Sequence, residues 1–168
     1  MLGPDGRAQA DVEGFRGHLG LWERAAGRPL AMKALLASWE LPFLAEVLPL
    51  GLFIDLRRDA ADTEASLLRA RRHFFGDEAA WYSVRLPDEV DVARLSPAEQ
   101  VARQVATIRA AVQHGLARIA PQRVFSMQLE QLVRSPGPEW ARLQAWLGDH
   151  GVHLPALDPH TVHAIQQR

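Results

Sequence analysis

The stretch Gly51-Leu-Phe-Ile-Asp-Leu-Arg-Arg58-Asp-Ala-Ala-Asp-Thr-Glu-Ala-Ser66 decides how this chain is read. Its first half is an apolar run, interrupted only by Asp55, that ends in two arginines. A central strand of a parallel sheet has that pattern, because helices cover both its faces and its C-terminal end opens onto the crevice where ligands bind. Asp59 is of a type that caps helices, and Leu67, Leu68, Phe74 and Phe75 supply apolar contacts for a helix after it. Such a helix aims its free N–H groups and partial positive charge at the strand's end. Ser66 lies about two turns along and carries a hydroxyl donor. Arg58, Ser66 and a helix dipole converging on one point make a phosphate-binding arrangement. Spacing alone leaves a second reading open, in which Arg58 pairs with a neighbouring carboxylate and Ser66 is solvated.

Outward from this stretch, strands and helices alternate. Val12, Phe15, Leu19, Trp22 and Ala26 recur at three and four, the stripe of an amphipathic helix that Gly27 and Pro29 close. Pro29-Leu-Ala-Met-Lys33 is short and apolar and reads as a buried strand. A short helix begins near Pro42, with Phe43, Leu44 and Val47 inward, and Pro49 stops it. Residues 76–95 hold Gly76, Pro87 and several acids without a period, as a surface loop does. Ser96, Pro97 and Glu99 make a capping box that opens a helix through Val101, Val105, Ile108, Val112, Leu116 and Ile119, ended by Pro121. Arg123 to Glu130 alternates like a further strand. Ser135-Pro136 starts a last helix, with Trp140, Leu143, Trp146 and Leu147 on one face and Gly148 at its end. The tryptophans on helix stripes, Trp22, Trp140 and Trp146, read as core. This order predicts an α/β fold, a three-layer parallel sheet flanked by helices, in a single domain over residues 1–168.

Composition narrows the chemistry. A chain of 168 residues carries one real core and not two comfortable domains. A formal net charge of −1 exerts no global pull on nucleic acid or anionic lipid, so an anion must be bound locally. The absence of cysteine removes disulfides, thiolate catalysis and thiolate metal sites. The N-terminus lacks the pattern of a signal peptide, and the apolar run Leu41–Leu56, broken by Glu46, Pro49 and Asp55, falls short of a bilayer span. The expectation is a cytoplasmic chain without a membrane span. His150, His153, His160 and His163 have no HExxH pattern or acidic pair beside them, and no metal is expected.

The central stretch resembles the sulfotransferase pattern in which an apolar strand reads F-I-x-x-x-R-D-P and a serine follows eight residues after the arginine. Here Arg58, Asp59 and Ser66 match, and Ala60 replaces the proline. Leu41 to Pro49 is similar to the family's i-P-x-L-x-x-x-F-P helix, and Leu95-Ser-Pro-Ala-Glu-Gln-Val-Ala to the start of the long helix in bacterial members. Arg123 to Pro136 is similar to R-V-L-x-V-R-Y-E-D-L-V-x-x-P, with Leu129 for Tyr and Gln131 for Asp. Leu143-x-x-Trp146-Leu-Gly148 resembles L-x-x-F-L-G. Lys33 resembles the lysine ending the preceding strand, although Ala34-Leu35 departs from the usual small residue and proline.

The resemblance implies a sulfotransferase-like P-loop fold that transfers a sulfuryl group from 3′-phosphoadenosine 5′-phosphosulfate (PAPS), a co-substrate, to a hydroxyl or amine of an acceptor. The acceptor would be a small molecule, carbohydrate or peptide, and not nucleic acid. Arg58 and Ser66 would hold the donor's 3′-phosphate, with Lys33 as a third donor-binding residue. Arg69, Arg71, Arg72 and His73 form a basic cluster with two readings, a contact for an anionic acceptor or the adenosine side of the donor, and, more commonly for such runs, a solvated helix face. No catalytic base is assigned: Glu130 belongs to a structural motif, and His73 is near only in sequence. The family's G-x-P-R-S-G-T-T loop around the 5′-phosphosulfate has no counterpart here, so the expectation is an N-terminally incomplete or degenerate member. The rival is a non-catalytic remnant serving as a binding or protein-interaction module. A kinase-like enzyme is disfavoured by the lack of a Walker A sequence.

Overall fold

The strand expected from the central stretch forms as β1, Phe53–Arg57, and pairs in parallel with β2, Val124–Gln128. The computed structural model describes residues 4–86, 92–158 and 160–162. These divide into two units, one drawn from Met1–Gly51 and Ala60–Ala120, the other from Leu52–Asp59 and Pro121–Arg168.

The second unit holds both strands, α6 (Leu129–Arg134) and α7 (Pro136–Gly148). Register runs from Phe53 opposite Val124 to Arg57 opposite Gln128. Side chains alternate across a strand, so Ile54, Leu56, Phe125 and Met127 share one face of this ribbon. On that face Phe125 and Met127 are buried with Leu143 and Leu147 of α7, and Leu132, Trp140 and Trp146 pack around them. The Trp146 ring lies 5.2 Å from that of Phe125, and its Nε1 donates to the Gln122 carbonyl at 3.0 Å. An apolar body with a satisfied polar tip is what a helix-borne indole needs at the edge of a core.

The first unit is helical: α1 (Pro4–Ala8), α2 (Val12–Ala26), α3 (Leu41–Val47), α4 (Ala60–Phe75) and α5 (Pro97–Leu116). The capping box forms as expected, with Ser96 accepting from the Glu99 N–H and the Glu99 carboxylate accepting from the Ser96 N–H at 2.8 Å. Val101 and Val105 are buried, and α5 packs on α3 and α4. At Gly115 of α5 a Cβ would stand 3.0 Å from the Cβ of Leu41, so any larger residue there would have to push Leu41 of α3 aside by a few tenths of an ångström.

Several expectations are corrected. Helices and a parallel sheet form as an α/β chain requires, but among the described residues the sheet has two strands, fewer than the expected three-layer sheet would carry. Pro29–Lys33 is irregular and exposed: Pro29 lacks an N–H to donate to a ladder, and no layer covers Leu30 or Met32. Ile54 and Leu56 are 49% and 50% exposed, so β1 is not covered on both faces. The α2 helix has the expected bounds, capped by Asp11 and ended by Gly27 at φ 63°, yet buries no residue, and Trp22 is 54% exposed. Periodicity fixes which side chains share a stripe, not whether another element covers it. Phe74 and Phe75 are likewise exposed; Phe74 stacks on Tyr82, centroids 5.3 Å apart. The buried member of α4 is Arg71. The segment read as a strand to Glu130 turns into α6 at Leu129.

These differences give a direct test. Leu143→Ala is expected to cost about 2–5 kcal/mol of unfolding free energy, while Trp22→Ser stays within about 0.5 kcal/mol of wild type. Urea unfolding curves of the two variants measure both.

Candidate functional site

Parallel pairing puts the C-terminal ends of β1 and β2 side by side, and the residues just beyond them form the candidate site. Arg57, the last residue of β1, is committed to the sheet. Its Nε donates to Asp55 Oδ2 at 2.6 Å and its Nη2 to Ser126 Oγ at 3.3 Å. Ser126 Oγ in turn donates to Asp55 Oδ2 at 3.4 Å. Asp55 and Ser126 face each other in register, so this cluster occupies the face opposite Phe125 and Met127.

Arg58 follows, half-buried, in the turn that leaves β1. The backbone N–H of the next residue, Asp59, donates to Glu130 Oε1 at 2.8 Å. Glu130 stands in the first turn of α6, two residues past β2, as Asp59 stands two residues past β1. The ladder register is thus continued by a carboxylate taking the place of a backbone carbonyl. The bond from Asp59, followed by the N–H of Glu130 itself, holds the Glu130 carboxyl below the usual carboxylate range. Slight burial and the Asp59 charge act the other way, and the Arg58 charge adds a smaller favourable effect. The result is a fixed turn with a guanidinium on one residue and an anchored amide on the next.

The other candidates lie in the first unit. Ser66 is the seventh residue of α4, half-buried, and Asp62 lies in that helix's first turn. Lys33 is exposed in the irregular segment before Leu35. His73 is exposed, its ring edge-on to Phe74 at 4.9 Å. The basic run on α4 is not uniformly solvated: Arg71 is buried, while Arg72 is exposed and paired with Glu78. Among the described residues no group of three or more His, Asp or Glu is placed to hold a metal ion, and no helix is long and apolar enough to cross a membrane. His150 Nδ1 lies 2.9 Å from the Trp146 carbonyl. His163 falls outside the described residues.

Sequence reasoning missed the Asp55–Arg57–Ser126 cluster and the tie between Glu130 and Asp59. No local signal marks the second, because it depends on the register that pairs Arg57 with Gln128.

The chain matches the model of the sulfotransferase family over residues 8–150, a span that contains Lys33, Arg58, Ser66 and Glu130. No curated protein and no solved structure matches it.

A carboxylate with a lowered pKa favours the folded state above its unfolded value, and that contribution is lost as pH falls through the folded value. The Asp59 amide resonance is therefore expected to keep its bonded shift through the ordinary glutamate range near pH ~4.3 and to move only at lower pH. In Glu130→Ala this amide exchanges with solvent faster at neutral pH, whereas Glu130→Gln, which retains an oxygen acceptor, exchanges at an intermediate rate. Amide hydrogen exchange by NMR checks both.

Proposed function

This chain belongs to the sulfotransferase family, and we propose that it takes a sulfuryl group from PAPS and passes it to a hydroxyl or amine of an acceptor. The observation that carries this reading is Arg58, in the turn beyond a parallel strand, with the adjoining amide anchored by Glu130. An arginine meets a phosphate through a planar fork of N–H donors, and the contact is worth most when its backbone does not have to be ordered on binding. Arg58 is assigned to the ligand because it stands at the position of the family's phosphate-binding arginine and lies half-buried just past β1.

In this proposal Arg58 and Ser66 bind the donor's 3′-phosphate and Lys33 adds its ammonium to the donor's negative charge. The acceptor's oxygen or nitrogen forms a bond to sulfur as the bond from sulfur to the bridging phosphate oxygen breaks. The leaving group is adenosine 3′,5′-bisphosphate, and the acceptor's proton passes to a base or to solvent. Little covalent chemistry falls to the protein, so its contribution is positioning and offsetting charge. A small-molecule, carbohydrate or peptide acceptor and a cytoplasmic setting belong to the same proposal.

Adenosine 3′,5′-bisphosphate is the probe, because it carries the 3′-phosphate without the reactive group. Losing one charge-assisted contact costs about 1.5–3 kcal/mol, so Arg58→Ala is expected to weaken binding about 10- to 150-fold by calorimetry. Ser66→Ala, which removes a neutral donor, has the smaller effect. Wild-type affinity in Arg58→Ala would remove Arg58 from the site. Tight binding by the wild type with no transfer from PAPS to phenol, sugar or amine acceptors would favour a non-catalytic binding module.

A further inference from the structure

Arg71 of α4 is 0% exposed, and the donors of its guanidinium are unevenly used. Nη1 donates to the Glu78 carbonyl at 2.9 Å and to Gln100 Oε1 at 2.8 Å. Trp81 covers the group's face, 5.2 Å from ring centroid to Cζ. Nε and Nη2 are buried and have no hydrogen-bond partner. Those two nitrogens form the edge along which a guanidinium gives two parallel N–H···O bonds to a carboxylate, sulfate or phosphate. A buried charge persists when it is paired, and burial lowers the Arg71 pKa, with Asp77 acting in the opposite direction. Asp77 makes no hydrogen bond to this edge, and the Glu78 carboxylate is taken by Arg72.

A second buried polar atom without a partner belongs to the same set of contacts. Gln104, one turn beyond Gln100 on α5, is 0% exposed, and its Oε1 is unpartnered. Its Nε2 donates to the carbonyls of Tyr82 at 3.0 Å and Val84 at 2.8 Å. The residue between them, Ser83, has φ 72°, a left-handed conformation that non-glycine side chains rarely adopt. Arg71 and Gln104 thus hold the irregular chain of residues 78–84 against α4 and α5 through its carbonyls. A strained, irregular cover moves more readily than a helix does.

We propose that the Nε/Nη2 edge of Arg71 is a binding site for an oxyanion that presents two oxygens in one plane, reached when the chain at residues 78–84 shifts. The site is independent of the donor contacts assigned to Arg58. Sulfate and phosphate are the tetrahedral members of this class and carboxylate the planar one, and the test separates them.

The 15N-labelled full chain is titrated with sulfate, phosphate or acetate at constant ionic strength, with chloride as reference. The readouts are the Arg71 Nε–H and Trp81 indole N–H cross-peaks. Trp81→Phe identifies both, by removing the indole signal and altering the ring current at the guanidinium while keeping its charge. A saturable shift of both signals supports the site, and the anion that produces it names the ligand class. In Arg71→Lys, which keeps the charge and loses the fork, the saturable indole shift is expected to vanish. Absence of any shift beyond chloride in the wild type overturns the proposal whether or not that variant folds. A saturable indole shift that survives in Arg71→Lys also overturns it.

Discussion

The hydrogen bond from the Asp59 N–H to the Glu130 carboxylate links residues 71 positions apart, and the geometry of the candidate site depends on it. Parallel strands exchange hydrogen bonds only along their paired length, and beyond it the two chains are free to diverge. Here β1 is only five residues long, as is β2. Without a further tie, a turn carrying a cation would leave a ribbon that short with little to fix its direction. Glu130 supplies the tie, and it does so from the first turn of α6, where the backbone is already ordered by the helix that follows β2.

The two faces of the same ribbon are filled differently. Phe125 and Met127 spend one face on α7, and the core they form with Leu143 and Leu147 holds the second unit together. Asp55, Arg57 and Ser126 close the other face with an ion pair and a hydroxyl. An exposed ion pair of this kind contributes little to stability. Its consequence is positional, because it ties the last residue of β1 across the ribbon to Ser126 of β2.

How much of this was legible beforehand follows from which physical signal each element carries. The α5 helix announces itself in Ser96, Pro97 and Glu99, since a capping box is a local arrangement and needs no tertiary partner. The bounds of α2 and α7 were legible for similar reasons, through Gly27 and through Ser135-Pro136. Burial was not. Trp22 and Leu143 both sit on apolar helical stripes, yet one is exposed and the other is core, because α7 packs on β2 while α2 buries none of its residues. The apolar segment Pro29–Lys33 has the composition of a strand, but a strand exists only where a neighbour accepts its hydrogen bonds. At the candidate site, the position of Arg58 just past a strand was legible from the apolar run, and the tie made by Glu130 was not, because it depends on a register no local pattern encodes.

Arg71 shows the converse error. Surrounded in sequence by Arg69, Arg72 and His73, it reads as one more charge on a wet face, yet a helix turns about 100° per residue and adjacent positions look in different directions. Arg72 points outward to Glu78, while Arg71 turns in beneath Trp81, toward Gln100. Gln100 and Gln104, spaced four apart on α5, complete a polar layer between α4 and α5 where a purely apolar seam would be simpler to stabilise. Their amides donate to the carbonyls of Tyr82 and Val84, which lie in irregular chain, and to those of Val92 and Leu95 at a short 3-10 turn. The layer therefore holds residues 78–84, which form no helix or strand, against α4 and α5.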